Sequence, residues 1–286
     1  GEIFSWGPKI NNLEYDGSIY DYDKNGMLTT AGSGNGVSAK VYDPKDFFKS
    51  AVSFSNMLNF KFGLNRAAVS VSLGQQKNNS IIPNSYKESY NASLLLEKIK
   101  TGGFTTDLGA IYKSTYDRLN EQGANMASLM YSVLTTPPTF DNTNGLTRSE
   151  AVKNNESWLL GNGSQRSYAK DMVNSPYMLV NSLTDRTKSE NLVTYLKTNY
   201  TYEDFNANAS VSFEKEWDKR HNGIMVSPFN HINYRNEDIT DIVAMTNLSF
   251  KATRFYFLHG RDYYLTVSAS YGFRHTDDKL YRNDNP

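Results

Sequence analysis

Alternation constrains this chain more than any other feature. In 205–214, Phe205, Ala207, Ala209, Val211 and Phe213 share one parity, and Asn206, Asn208, Ser210, Ser212 and Glu214 share the other. Successive side chains of a β-strand point to opposite faces, so this segment has one apolar and one wet side. The pattern returns in 263–273, where Tyr263, Leu265, Val267, Ala269, Tyr271 and Phe273 oppose Tyr264, Thr266, Ser268, Ser270 and Gly272. A soluble sandwich produces this alternation too. Stretches of about ten residues with aromatic ends favour a wall of an outer-membrane barrel.

The same rhythm organises the rest. Residues 1–46 are rich in Gly, Asn, Asp, Tyr and Ser and read as a loop segment with turns, leading into strands over 47–286. The first predicted strand covers about 47–62, with Phe48, Val52, Phe54, Leu58, Phe60 and Phe62 on one face. It turns at Gly63–Arg66 into Ala67, Val69, Val71 and Leu73. Further pairs are expected at 89–99 with 104–114, 192–202 with 205–217, and 243–254 with 262–275. A long insert near 115–190 separates them, and within it Met126–Leu134 reads as two helical turns ended by Pro137-Pro138. The expected fold is therefore all-β. Antiparallel hairpins, about eight strands, form part of a large transmembrane β-barrel with long irregular outer loops and short turns at the other end.

Composition permits this and narrows the rest. Hydrophobic residues are only 38% and mean hydropathy is −0.59. No apolar run approaches the roughly 18 residues of a spanning helix. A barrel escapes that limit because only alternate residues meet lipid. Thirty Lys and Arg balance thirty Asp and Glu, which argues against a nucleic-acid surface and its basic stripe. With no cysteine, disulfide scaffolds, thiol nucleophiles and thiolate metal sites are excluded. The chain starts at Gly1 and stops at Pro286, and is read as a piece of a longer protein.

Few constellations carry chemistry. Asp21, Asp23 and Asn25, followed by Gly26, match the start of a calcium loop. The twelfth position is Gly32 instead of a bidentate Glu, so the expectation is an Asn-Gly turn, with no cofactor and with calcium as the alternative. Gly32–Gly36 reads as a turn instead of a phosphate loop. The four histidines lie in different segments, and Ser167 with Lys170 has acylating-enzyme spacing without supporting motifs. A glycan hydrolase needs two convergent carboxylates, and none stand out. No catalytic residue is assigned and the chain is expected not to be an enzyme.

Several stretches, in order, carry a resemblance. Ser5-Trp6-Gly7-Pro8-Lys9 with Tyr15-Asp16-Gly17 is similar to the segment following the plug in SusC/RagA-type TonB-dependent transporters. Asp43 to Lys49 resembles that family's lead into its first barrel strand. Gln75 to Ser85 resembles a family loop, with Asn79-Ser80 where the family has Gly and then Ile or Val. Leu134 to Gly145, Ser164 to Ala169 and Asn174 to Tyr177 resemble later stretches. The resemblance implies a plugged barrel of the 22-stranded class, of which this chain holds the first third without the plug. It also implies a bacterial outer-membrane location, a SusD-like surface lipoprotein capping the barrel, TonB acting through the plug segment, and oligosaccharide or peptide cargo. Transport needs loops that hold cargo more than it needs catalysis. Trp6, Tyr20, Tyr22, Trp158 and Tyr177 are the candidates to stack on or hydrogen-bond cargo, or else to serve as girdle and loop-packing residues. The alternative to this importer wall is a freestanding soluble β-sandwich that binds at a surface.

Overall fold

The computed structural model describes residues 7–119, 129–169, 172–182, 185–225, 234–257 and 264–285. It is all-β and antiparallel. A small three-stranded sheet comes first: β1 (Leu13–Tyr15) lies between β2 (Leu28–Thr30) and β3 (Val37–Ser38). Eight long strands then follow as one meander: β4 (Ser53–Leu64), β5 (Ala67–Asn79), β6 (Tyr86–Thr101), β7 (Phe104–Leu119), β8 (Asp185–Tyr202), β9 (Phe205–Met225), β10 (Tyr234–Phe257) and β11 (Tyr264–Asn285). Each pairs with its sequence neighbours, in the order β11-β10-β9-β8-β7-β6-β5-β4. Strands of one face-sharing sheet thus replace the paired sheets a sandwich requires.

Register turns the alternation into two continuous surfaces. Phe62, Val69, Leu96, Leu108, Leu196, Val211, Leu248 and Phe273 lie side by side, one from every strand, and all are apolar. One residue on, the other surface carries Lys61, Ser70, Leu95, Gly109, Tyr195, Ser212, Asn247 and Arg274 in the same way. A slip of one residue anywhere would interchange the two faces, so the pattern itself enforces the register. Nothing among the described residues covers the apolar face. Phe62 is 56%, Val267 52% and Phe273 47% exposed, and Phe205 and Val211 are not buried either.

The turns follow from their residues. Two-residue loops at Asn65-Arg66, Gly102-Gly103 and Glu203-Asp204 join β4–β5, β6–β7 and β8–β9. Gly102 (φ 59°) and Glu203 (φ 45°) take the left-handed backbone that tight hairpins demand. In β6 a bulge between Leu96 and Ile99 sets two residues against Asp107. Lys98 sits there at φ 56°, its amide donating to Asp107 Oδ1 at 2.7 Å. The extra residue brings Ile99, rather than Lys98, into the apolar register opposite Thr106.

Two expectations are corrected. The first strand begins at Ser53, not at 47. Asp43 caps a 3-10 turn over Pro44–Phe47, accepting from the Lys45 amide at 2.9 Å, and this ends the extended path. Phe47 and Phe48 pack edge to face at 5.5 Å in the loop core, so Phe48 is not on the sheet's apolar face. The later strands are also longer than expected, chiefly toward the long-loop end: β8 starts at Asp185, β9 runs to Met225 and β10 starts at Tyr234. Those extensions carry charges on both faces, such as Glu214 to His221, and so lack a one-sided apolar pattern.

The loops make a second core. α1 (Leu129–Leu134), α2 (Arg148–Ala151) and α3 (Pro176–Ser182) belong to the insert. Leu129, Val133, Ala151, Met178, Leu179 and Val180 are buried against Phe47 and Ile82. The N-terminal segment, the loop after β5 and the insert are thereby one cap, sewn by Lys49 N to Ile81 O (2.8 Å) and Tyr42 N to Pro138 O (2.7 Å). No described helix is long and apolar enough to cross a membrane, which says nothing of strands.

Candidate functional site

The cap contains a cleft of about 480 Å³ lined by Tyr20, Tyr22, Phe140, Tyr168, Met27 and Asp23, among others. Three remote segments build it. The first is a closed turn. Asp16 Oδ1 accepts from the amides of Ser18 and Met27, each at 2.8 Å. The Ser18 side chain first, and then these amides, hold the Asp16 carboxyl below its ordinary range. Gly26 (φ 100°) is required there, since a Cβ would lie 2.4 Å from Asp16 Oδ1. Tyr20 and Tyr22 project from this turn with ring centroids 5.5 Å apart.

The second segment is ordered by Asp141, whose Oδ1 accepts from the Thr143 amide and hydroxyl and whose Oδ2 accepts from the Gly145 amide, at 2.8, 2.7 and 2.7 Å. This Asx arrangement follows Pro137-Pro138 and presents Phe140. The third supplies Arg166 and Tyr168. Arg166 is 1% exposed and is the largest fully buried side chain among the described residues. Its guanidinium lies 4.5 Å from the Phe140 ring centroid and donates to Tyr22 O at 2.8 Å and Ser157 O at 3.3 Å. Burial lowers its pKa, while Asp141 and Asp23 raise it. A planar, multiply donating cation is thus the rivet joining all three segments. Tyr168 stands 6.3 Å from Phe140 and donates to Thr135 Oγ1 at 2.7 Å, and burial raises its pKa.

The structure treats the expected site residues differently. Tyr20 and Tyr22 line the cleft. Trp158 is half-buried against the loop core. Tyr177 is 1% exposed, 5.2 Å from Phe47, and burial pushes its hydroxyl up to about 12. It serves packing, not the cleft. Trp6 lies outside the described residues. Phe140, Tyr168 and Arg166 also meet at the cleft, and each lies in a stretch that carries the family resemblance without standing out in it. The available signal was an aromatic in each of two loop motifs that share a partner.

Along the calcium-like pattern the side chains bond locally. Asp23 is buried, and its Oδ1 accepts from the Asn25 amide and side chain at 2.8 and 2.9 Å, while Asp21 is exposed. Among the described residues no three acidic or histidine side chains are grouped to hold a metal ion. Ser167 Oγ donates to the Val173 carbonyl, and Lys170 lies outside the described residues.

No family model matches the chain, and no curated protein matches it. Solved structures do. A chain of the RagAB peptide transporter structure aligns over 94% of this chain with TM-score 0.67 and 13% identity. A chain of the RagAB peptide importer in its closed-closed state aligns over 85%, with TM-score 0.56 and 12% identity. This chain spans 28% and 31% of their lengths. The likeness establishes that this antiparallel, all-β architecture is one found in transporter chains.

Proposed function

We propose that the chain is a stretch of wall from a TonB-dependent, SusC/RagA-type importer in a bacterial outer membrane. The observation that carries this is the apolar row reaching unbroken across eight strands, open on its own face and backed by a mostly polar one. In water such a face is costly, at about 25 cal/mol per Å². Against hydrocarbon it is at rest, and each strand from β5 to β10 is hydrogen-bonded to a neighbour on both flanks.

Dimensions agree. From Phe205 to Trp217 β9 runs about 40 Å, or about 30 Å when tilted by roughly 40°. Phe104, Tyr200 and Phe205 cluster at the short-turn end, with Phe104 and Tyr200 at 4.6 Å. Tyr90, Tyr112 and Trp217 occupy the same face at the other end. These are the two aromatic girdles. The cap then stands beyond the bilayer, and its tyrosine-lined cleft holds oligosaccharide or peptide cargo. A SusD-like lipoprotein closes over it, and TonB acts through a plug carried elsewhere in the protein.

Because the chain has no cysteine, one can be placed at will. An environment-sensitive fluorophore on Leu196→Cys is expected to report hydrocarbon, and on Lys197→Cys water. Equal, water-like emission from both would defeat the proposal.

A further inference from the structure

We propose that the apolar face carries, just beyond its upper aromatic girdle, a binding site for the phosphorylated headgroup of a membrane lipid, built from Arg186, Lys188 and Lys219. The inference rests on the lipid-facing reading of that face. Register places the three on it: Arg118 pairs with Arg186, and Lys188 with Lys219. Like charges directly opposite one another destabilise a sheet, and here two such pairs are adjacent. Arg186, Lys188 and Lys219 are exposed.

The acids of this face offset only part of the patch: Glu190 faces both Lys188 and Lys219, one carboxylate against four cations with Arg118 and Arg186. Glu190 meets Lys188 at 3.0 Å but also accepts from the Tyr112 hydroxyl at 2.5 Å. Asp238 is held by His221 at 2.7 Å, and Glu88 lies 3.9 Å from Lys77 on the far side of β7. Among the described residues neither Arg186 nor Lys219 has a carboxylate at ion-pair distance. Arg118 Nε is buried without a hydrogen-bond partner. Lys215, the next cation of this face along β9, lies 4.7 Å from the Trp217 ring centroid. Cations immediately above an aromatic belt sit at headgroup depth, where a phosphate offsets their mutual repulsion.

The test uses the complete protein that carries these strands, reconstituted in phosphatidylcholine bilayers with and without phosphatidic acid, with native mass spectrometry of the lipid retained on extraction. Wild type is expected to keep phosphatidic acid. A combined Arg186→Gln, Lys188→Gln, Lys219→Gln variant should lose it at least tenfold, at about fivefold per cation. Lys113→Gln with Lys197→Gln, on the polar face, should leave retention unchanged. Relief of repulsion should make the triple variant no less stable in neutral bilayers, so misfolding would not mimic the loss. Equal retention by the triple variant overturns the inference. So does clearance of the lipid by millimolar inorganic phosphate, which would mark a free-anion site. Failure of wild type to enter bilayers would overturn the wall reading itself, and the inference with it.

Discussion

At the scale of single residues, Arg166 and Tyr177 decide whether the cap exists. Arg166 donates to two backbone carbonyls from segments remote in sequence and lies against Phe140. Arg166→Met keeps the stem and leaves those carbonyls unpaired. The expected cost is about 3 kcal/mol, read as new protease cutting within 129–169 while the eight-stranded sheet stays protected. Tyr177 gives a pH test. Its hydroxyl ionises near 10 when unfolded but is held up to about 12 by burial in the folded cap. The folded state thus keeps its proton longer. Cap stability is whole below pH about 10 and is withdrawn as pH climbs through 12. Tyr177→Phe is expected to move the alkaline loss of cap structure, followed by near-ultraviolet circular dichroism, to higher pH. Tyr42 and Tyr168, both raised chiefly by burial, then set what remains.

At the scale of elements, the strand is the unit, and its two faces should respond oppositely to charge. Val211→Lys puts a cation in the middle of the apolar row and is expected to cost about 2–4 kcal/mol. Ser212→Lys, one residue on, should cost far less. Urea unfolding of the complete protein in detergent micelles measures both. This duality was readable in Phe205 to Phe213, because a period of two needs no tertiary knowledge. The β6 bulge was not, since Glu97 to Lys100 keeps a plausible alternation until Lys98 turns left-handed. Nor were the strand extensions, whose charges on both faces look like loop. The cleft was half legible. Tyr20 and Tyr22 announce themselves in a loop rich in turn residues. Phe140 and Tyr168 face them only because of a buried arginine, and long-range pairing leaves no periodic trace.

At the scale of the whole molecule, two bodies of different logic share one chain. The sheet is ordered by local pairing, each strand beside its predecessor. The cap is ordered by remote contacts that bring Phe47, Ile82 and Val133 together with Leu179. β4 and β11 each keep one unpaired flank among the described residues, so the sheet is open at both edges.

The placement of the insert has a kinetic meaning. Every neighbouring pair but one closes over a brief connection, whereas β7 must find β8 across 120–184. Closing so long a loop costs about 2 kcal/mol more than closing a short one. α1 and α3, near the insert's two ends, pack on each other, with Val133 and Leu179 in one buried cluster, so a cap that forms early draws the ends of β7 and β8 together. A segment without a single strand of the wall would then govern how fast the wall zips shut.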